Sequence, residues 1–199
     1  MDTPEAQDGL AAIVIGGSAG ALEPLLAIAG ALPAATTAPI VVVIHLHPRY
    51  PNMLPALIGS AVRGRPTREA ADKEPLRPGT IYVAPPDYHL LVERGGSLSL
   101  SIDGPVHFSR PSIDVLFESA ADAFGSRLAA VLLSGASADG AHGLARIAAA
   151  GGAAIVQADA DYTTMPDAGR AAVPSARALD ARDIASHLAA LSSRERALP

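Results

Sequence analysis

Residues 11–32 read AAIVIGGSAGALEPLLAIAGAL: an apolar run meets the corner Gly16-Gly17-Ser18-Ala19-Gly20 and passes into an Ala/Leu-rich segment. Ile13 to Ile15 predicts a short strand, because a continuous β-branched run without polar alternation suits a parallel sheet covered on both faces. Leu22, Leu25, Leu26, Ala29 and Leu32 share one helical face, and Leu32-Pro33 stops that helix. Between the two elements, a G-x-S-x-G corner folds the backbone tightly and presents the Ser18 hydroxyl beyond the strand end, over the N-terminus of the next helix. Amide groups at such a terminus stabilise an oxyanion. Two plainer readings compete. A serine in a glycine-rich turn is often a helix cap, and glycine-rich corners also cradle phosphates. This corner lacks the G-x-G-x-x-G spacing and the G-K-[ST] ending of nucleotide-binding loops.

Outward from this stretch, strand and helix signals alternate. Ile40 to Ile44 predicts a second buried strand that ends at His45-Leu46-His47-Pro48, where proline stops ladder pairing. Residues 52–62 are weakly helical, and Arg63 to Arg77 is a polar connection leading to the Pro78-Gly79 turn. Thr80 to Ala84 is a further strand. Tyr88 to Glu93 and Ser97 to Ile102 flank Gly95-Gly96 as a hairpin, with Ser97, Ser99 and Ser101 turned outward. A helix opens at Pro111-Ser112, with Ser112 as N-cap and Asp114 in the first turn, and runs to Phe124 before Gly125. Ala129 to Leu133 is a third apolar strand, followed by the loop Ser134 to Gly140 and a helix over Ala141 to Ala149. Ala153 to Gln157 is a strand and Asp183 to Leu191 a last helix. The expected fold is a doubly wound, mostly parallel α/β sheet with helices on both faces and an antiparallel hairpin at its edge. One domain spans 11–192, between a polar lead (1–10) and a polar tail (193–199).

Composition narrows the function classes. With 199 residues and 49% hydrophobic content, the chain buries a sizeable core. A formal net charge of -5, no basic run and 4% aromatic residues argue against a nucleic-acid surface. The absence of cysteine removes thiol nucleophiles, disulfides and Cys-based metal sites. The acidic start MDTPEAQDGL is unlike a secretory signal and no apolar run spans a bilayer, so a soluble, unprocessed protein without membrane insertion is expected, and the lack of cysteine is compatible with a cytoplasmic location.

In a doubly wound sheet, ligands bind outside the carboxyl ends of the strands. Ser18, His45 and Asp139 each follow a buried strand directly or within a few residues, which brings hydroxyl, imidazole and carboxylate to one sheet edge. An activated serine needs this set: the imidazole takes the hydroxyl proton and the carboxylate fixes the imidazole tautomer. The order Ser, His, Asp differs from the Ser, Asp, His order of α/β-hydrolases. Alternatives stay open at this point. His45 and His47 form a His-x-His pair to which Asp87 or His89 would add a third metal ligand. Asp139 before Gly140 is also a common turn residue. His107, His142 and His187 fit surface positions, and Met165-Pro166 fits a packing contact.

The same residues resemble the catalytic domain of the chemotaxis protein-glutamate methylesterases, the CheB-type family. The likeness runs through IVIGGSAGALEPL (13–25), IVVVIHLHP (40–48), LRPGTIYVAPPDYHLLV (76–92), RPSIDVLFESAA (110–121), VLLSGASADGAHGL (131–144) and GGAAIVQADADYTTMPDAGRAAV (151–173). The resemblance implies Ser18 as nucleophile, His45 as general base and acid, and Asp139 as the orienting carboxylate. It implies backbone amides of Ala19 and Ala136 as oxyanion donors, no cofactor or metal, and methylated glutamates on the cytoplasmic helices of chemoreceptors as substrate, with glutamine deamidation as a related activity. The chain departs from the family pattern at Ala19 and Ala21, where Thr and Gly are usual, at Ile44, where Gln is usual, and at Ala136-Ser137, where Met-Gly is usual. Only about ten residues precede the first strand, so the expectation is a catalytic domain without the family's receiver domain, controlled by a partner or by a separate receiver protein in trans. An inactive partner-binding module of the same fold and a serine esterase for an unrelated small ester remain the other readings.

Overall fold

Strand side chains alternate between two apolar layers, and that alternation sets the layout. The computed structural model describes residues 9–46, 52–62 and 64–193. Among them lie nine strands: β1 (Ala12–Gly17), β2 (Ile40–Ile44), β3 (Thr67–Glu69), β4 (Ile81–Val83), β5 (His89–Val92), β6 (Leu98–Ser101), β7 (Leu128–Leu132), β8 (Ala153–Gln157) and β9 (Arg177–Leu179). The helices are α1 (Leu22–Ala31), α2 (Leu54–Ala61), α3 (Ile113–Phe124), α4 (Ala141–Ala149), α5 (Thr164–Ala172) and α6 (Ala181–Ser193). Seven strands form a parallel sheet in the order β3-β4-β2-β1-β7-β8-β9.

Within β1, Ala12 and Val14 pack with Val41, Val43, Leu116 and Phe117 on the face covered by α3, α4 and α5. Ile13 and Ile15 pack with Val42, Leu25, Ile28, Ile58 and Leu188 on the face covered by α1, α2 and α6. Both faces are therefore dry, which is why the central strands carry unbroken apolar runs rather than alternating ones. β1 lies in the middle of the sheet. The chain leaves it toward β2 and later returns on its other side as β7, so the strand order reverses at β1 and opens a crevice beyond its carboxyl end.

Several elements differ from expectation. The hairpin forms a separate two-stranded sheet, β5-β6, instead of extending the large one. Its apolar residues Leu90, Val92 and Leu98 are buried in the layer that holds α3, and this packing draws it off the sheet edge. Ser99 is accordingly buried rather than turned outward. Leu22, expected on the packed face of α1, is exposed, and the helix seats through Leu25, Ile28 and Ala29. The polar connection contains β3, and the stretch after β8 contains α5 and β9.

Candidate active site

The parallel register sets the first two groups side by side. Gly17 pairs with Ile44, and the His45 amide donates to the Gly17 carbonyl at 3.1 Å, so Ser18 and His45 occupy the next position along neighbouring chains. Such chains lie about 4.8 Å apart. On its other side, the Ser18 amide donates to Ser134 O at 2.9 Å, just beyond β7. The turn into α1 is narrow. Gly20 has φ +75°, and a Cβ there would stand 2.7 Å from Ser134 Oγ, the hydroxyl that donates to Ala19 O at 2.8 Å and accepts from the Tyr162 amide at 3.0 Å. Ser18 and Ala19 are half-buried and Gly20 is exposed, so the corner opens to solvent.

The third group arrives from β7 but is held by a helix. Asp139 is fully buried, and the N-terminus of α3 surrounds its carboxylate: Ser112 Oγ donates to Oδ1 at 2.8 Å, the Asp114 amide to Oδ1 at 3.0 Å and the Ile113 amide to Oδ2 at 2.8 Å. His45 Nε2 completes the set at 2.8 Å from Oδ2. Burial alone would raise the Asp139 pKa. The hydrogen bonds from His45, from the amides of Asp114 and Ile113 and from Ser112 outweigh burial and hold it below the ordinary aspartate value. The carboxylate is thus an acceptor only, which assigns the proton to His45 Nε2 and leaves the lone pair on Nδ1. This is the nitrogen available as a base.

Three further groups surround this arrangement. His89 is buried, with Nδ1 accepting from the Ser112 amide at 3.1 Å and Nε2 donating to Gly104 O at 3.0 Å. Asp114, almost fully buried, accepts from the Gly143 amide at 2.7 Å and pairs with His107 Nε2 at 3.1 Å. Burial, together with the nearby Asp139 charge, raises the Asp114 pKa against the lowering effect of Gly143 and His107. Ser109 Oγ stands 3.5 Å from His45 Nδ1.

Of the five residues singled out from sequence, Ser18, His45 and Asp139 converge, with a direct hydrogen bond only between the last two among the described residues. The amides of Ala19 and Ala136 have no hydrogen-bond partner among the described residues. The loop that carries Ala136 is braced from below, since Gly135 O accepts from the Met165 amide at 2.9 Å and the Met165 side chain fills the space where a Gly135 Cβ would stand. Met165 is therefore a buried packing residue under the loop.

Of the alternative metal set, the described residues include His45, Asp87 and His89. His47 lies outside the described residues, Asp87 pairs with Arg110 at 2.7 Å, and both nitrogens of His89 are committed. His107, Asp114 and Asp139 offer ligand atoms within 4.8 Å of one another, but both Asp139 oxygens already accept hydrogen bonds. The sequence marks Ser112 as a helix cap and gives no signal for Ser109; His107 is exposed, as expected, and also pairs with Asp114. The N-cap signal at Ser112 was the one visible hint of where Asp139 would dock.

Residues 13–188 match the family model described as CheB methylesterase. A protein of Leptospira interrogans named putative protein-glutamate methylesterase/protein-glutamine glutaminase is 44% identical over 150 residues, covering 73% of this chain and 75% of that one. A Rhodospirillum rubrum protein-glutamate methylesterase/protein-glutamine glutaminase is 38% identical over 93% of this chain, which spans about half (49%) of its length. Among solved structures, the Thermotoga maritima CheB methylesterase catalytic domain superposes with a TM-score of 0.86 at 30% identity, covering 92% of this chain and 98% of that one.

Proposed function

Because the chain belongs to the CheB methylesterase family, we propose that it is a serine-dependent protein-glutamate methylesterase, with protein-glutamine deamidation as a second activity, acting on the cytoplasmic helices of methyl-accepting chemoreceptors. The observation that carries this reading is the His45–Asp139 hydrogen bond, 2.8 Å long, with His45 beside Ser18 one step past the Gly17–Ile44 pair.

In the first half-reaction, Ser18 Oγ attacks the side-chain ester carbonyl while His45 Nδ1 takes its proton. The amides of Ala19 and Ala136 receive the oxyanion, and His45 returns the proton to methanol, or to ammonia from a glutamine, as the tetrahedral intermediate collapses. Water then hydrolyses the acyl-Ser18. Asp139 stays ionised and balances the charge that His45 gains. Backbone donors do not depend on side-chain identity, so alanine at 19 and 136 in place of the family's usual residues leaves the oxyanion site intact. No cofactor enters the scheme. None of the helices among the described residues is long and apolar enough to cross a membrane, in keeping with action on the cytoplasmic part of a receptor.

The test is methanol release from a methylated receptor fragment, measured beside turnover of a generic aryl ester. Methanol release that disappears in Ser18→Ala supports the reading. Aryl-ester turnover without methanol release points to an unrelated small-ester hydrolase, and loss of both with binding retained points to an inactive partner-binding module.

A further inference from the structure

His45 Nδ1 must serve twice, first for Ser18 and then for the water that cleaves the acyl-enzyme, and Ser18 accounts only for the first. Among the described residues, Ser109 Oγ stands 3.5 Å from Nδ1. That is too long for a strong direct hydrogen bond, but two polar atoms at this separation share one water, each at about 2.8 Å. There is room for it. A cavity of about 300 Å³ borders His45 and Ser109, with Asp87 and Arg110 at its polar edge and Leu46, Pro105, Phe108 and Pro111 as its apolar lining.

Ser109 is held firmly in this place. Its amide donates to Val106 O at 2.9 Å and its carbonyl accepts from the Val106 amide at 3.1 Å, closing a tight turn through His107 and Phe108, at φ 48° and 60°. His107 ties the turn to Asp114 at 3.1 Å. Arg110 ties it to Asp87 at 2.7 Å and to the carbonyls of Ile102 and Asp103 at 2.8 and 3.0 Å. On a turn so anchored, the Ser109 hydroxyl faces the basic nitrogen from a polar-edged cavity.

We propose that Ser109 is a positioning residue for deacylation: its hydroxyl and His45 Nδ1 together hold the hydrolytic water. The water oxygen bonds to the acyl carbon while its proton passes to Nδ1. The C–Oγ bond to Ser18 then breaks, the proton returns from Nδ1 to Ser18 Oγ, and the glutamate acid leaves. This step rests on the serine reading above, and the experiment separates the two.

An activated aryl acetate reports acylation as a rapid burst of the phenol, and intact-mass spectrometry of quenched samples follows the acyl adduct. With Ser109→Ala, burst rate and amplitude should stay within threefold of wild type. The later steady rate should fall tenfold or more with a matching fall in KM, and the adduct should persist. Hydroxylamine, which needs no held water, should restore turnover, and Ser109→Thr should keep deacylation within threefold. Thermal midpoints matching wild type verify folding. Equal slowing of burst and steady rate, no change in either, or a faster steady rate that shows Ser109 merely masking Nδ1 would each overturn the proposal. A burst that survives Ser18→Ala would instead remove the serine reading itself.

Discussion

Asp139→Asn separates the electrostatic role of this carboxylate from its structural one. The wild-type carboxylate accepts at both oxygens, from Ser112 Oγ and the Asp114 amide on one and from the Ile113 amide and His45 Nε2 on the other. Asparagine has one acceptor oxygen and one amino group. If the oxygen stays with Ser112 Oγ and the Asp114 amide, the amino group takes the other position, leaves the Ile113 amide without an acceptor and donates to His45 Nε2, which moves the ring proton to Nδ1 and removes the base. Tautomer reversal of this kind lowers kcat by about 10⁴-fold, or roughly 5 kcal/mol of transition-state stabilisation. Asp139→Ala differs. It leaves the buried Ser112 hydroxyl and two amides unpaired, at about 1–3 kcal/mol each, so a total loss of roughly 3–5 kcal/mol is expected after relaxation. For a chain of this size that is a fall in Tm on the order of 10 °C. Methanol-release kinetics and thermal unfolding of both variants make the comparison. Asparagine should abolish activity with the smaller loss of Tm, and alanine should lose both. An asparagine variant within tenfold of wild-type kcat would refute the tautomer reasoning.

The same buried carboxylate ties stability to pH. Its folded pKa is depressed, so its contribution is present above the ordinary aspartate value, about 3.9, and is lost as pH falls through the lower folded value. In urea titrations the stability gap between wild type and Asp139→Asn should be widest near neutrality and shrink at the acid end; a constant gap would contradict this. Gly16→Ala should cost stability near the upper end of the roughly 1–3 kcal/mol seen for overpacking, because the new Cβ would stand 2.2 Å from Ile113 Cγ2 at the start of α3. Gly95→Ala, with nothing within 4 Å of its Cβ, should unfold like wild type and serves as the control. Chelation should leave the esterase rate unchanged, whereas loss of rate on chelation with recovery on added zinc would restore the His45/His47 metal reading.

Buried parallel strands are the part of this fold most legible in sequence, since burial on both faces leaves one signal, an unbroken apolar run. Ile40 to Ile44 and Ala153 to Gln157 match β2 and β8 to the residue. The edge strands carry no such signal: Thr67–Glu69 and Arg177–Leu179 are three residues each and largely exposed, so nothing apolar marks them. α5 was hidden for another reason. Its buried positions are Met165, Pro166 and Gly169, and two of those are residue types that ordinarily break helices. Gly169 is required by contact, because a Cβ there would stand 2.9 Å from Leu132 Cδ2. In the site, strand ends located Ser18 and His45, which follow directly from adjacent strands. The partners of Asp139 were not legible in the same way. Ser112 and Ile113 lie 27 and 26 residues upstream, beyond any local pattern, and only packing of α3 over β1 brings them in.

That packing places the control of geometry in α3 rather than in the sheet. Ser18 and His45 are set by strand register, which the interior of the sheet makes stiff. Asp139 lies seven residues past β7 in a loop whose own backbone does not determine where a carboxylate points. The helix supplies the determination. Its N-terminal amides and the Ser112 hydroxyl form a fixed anion seat, aided by the helix dipole, and Gly16 lets Ile113 approach β1 closely enough to hold that seat beside His45. His89 from the hairpin then secures the Ser112 amide, and the turn at 106–109 is fastened to Asp114 in the first turn of the same helix. The insertion between β4 and β7 is therefore built around one helix end, which seats the orienting carboxylate on one side and, through the anchored turn, sets Ser109 against the basic nitrogen on the other. In the proposed mechanism, attack by Ser18 and release of its acyl group then depend on a common support. A displacement of α3 should damage both half-reactions, whereas a change at Ser109 alone should damage only the second.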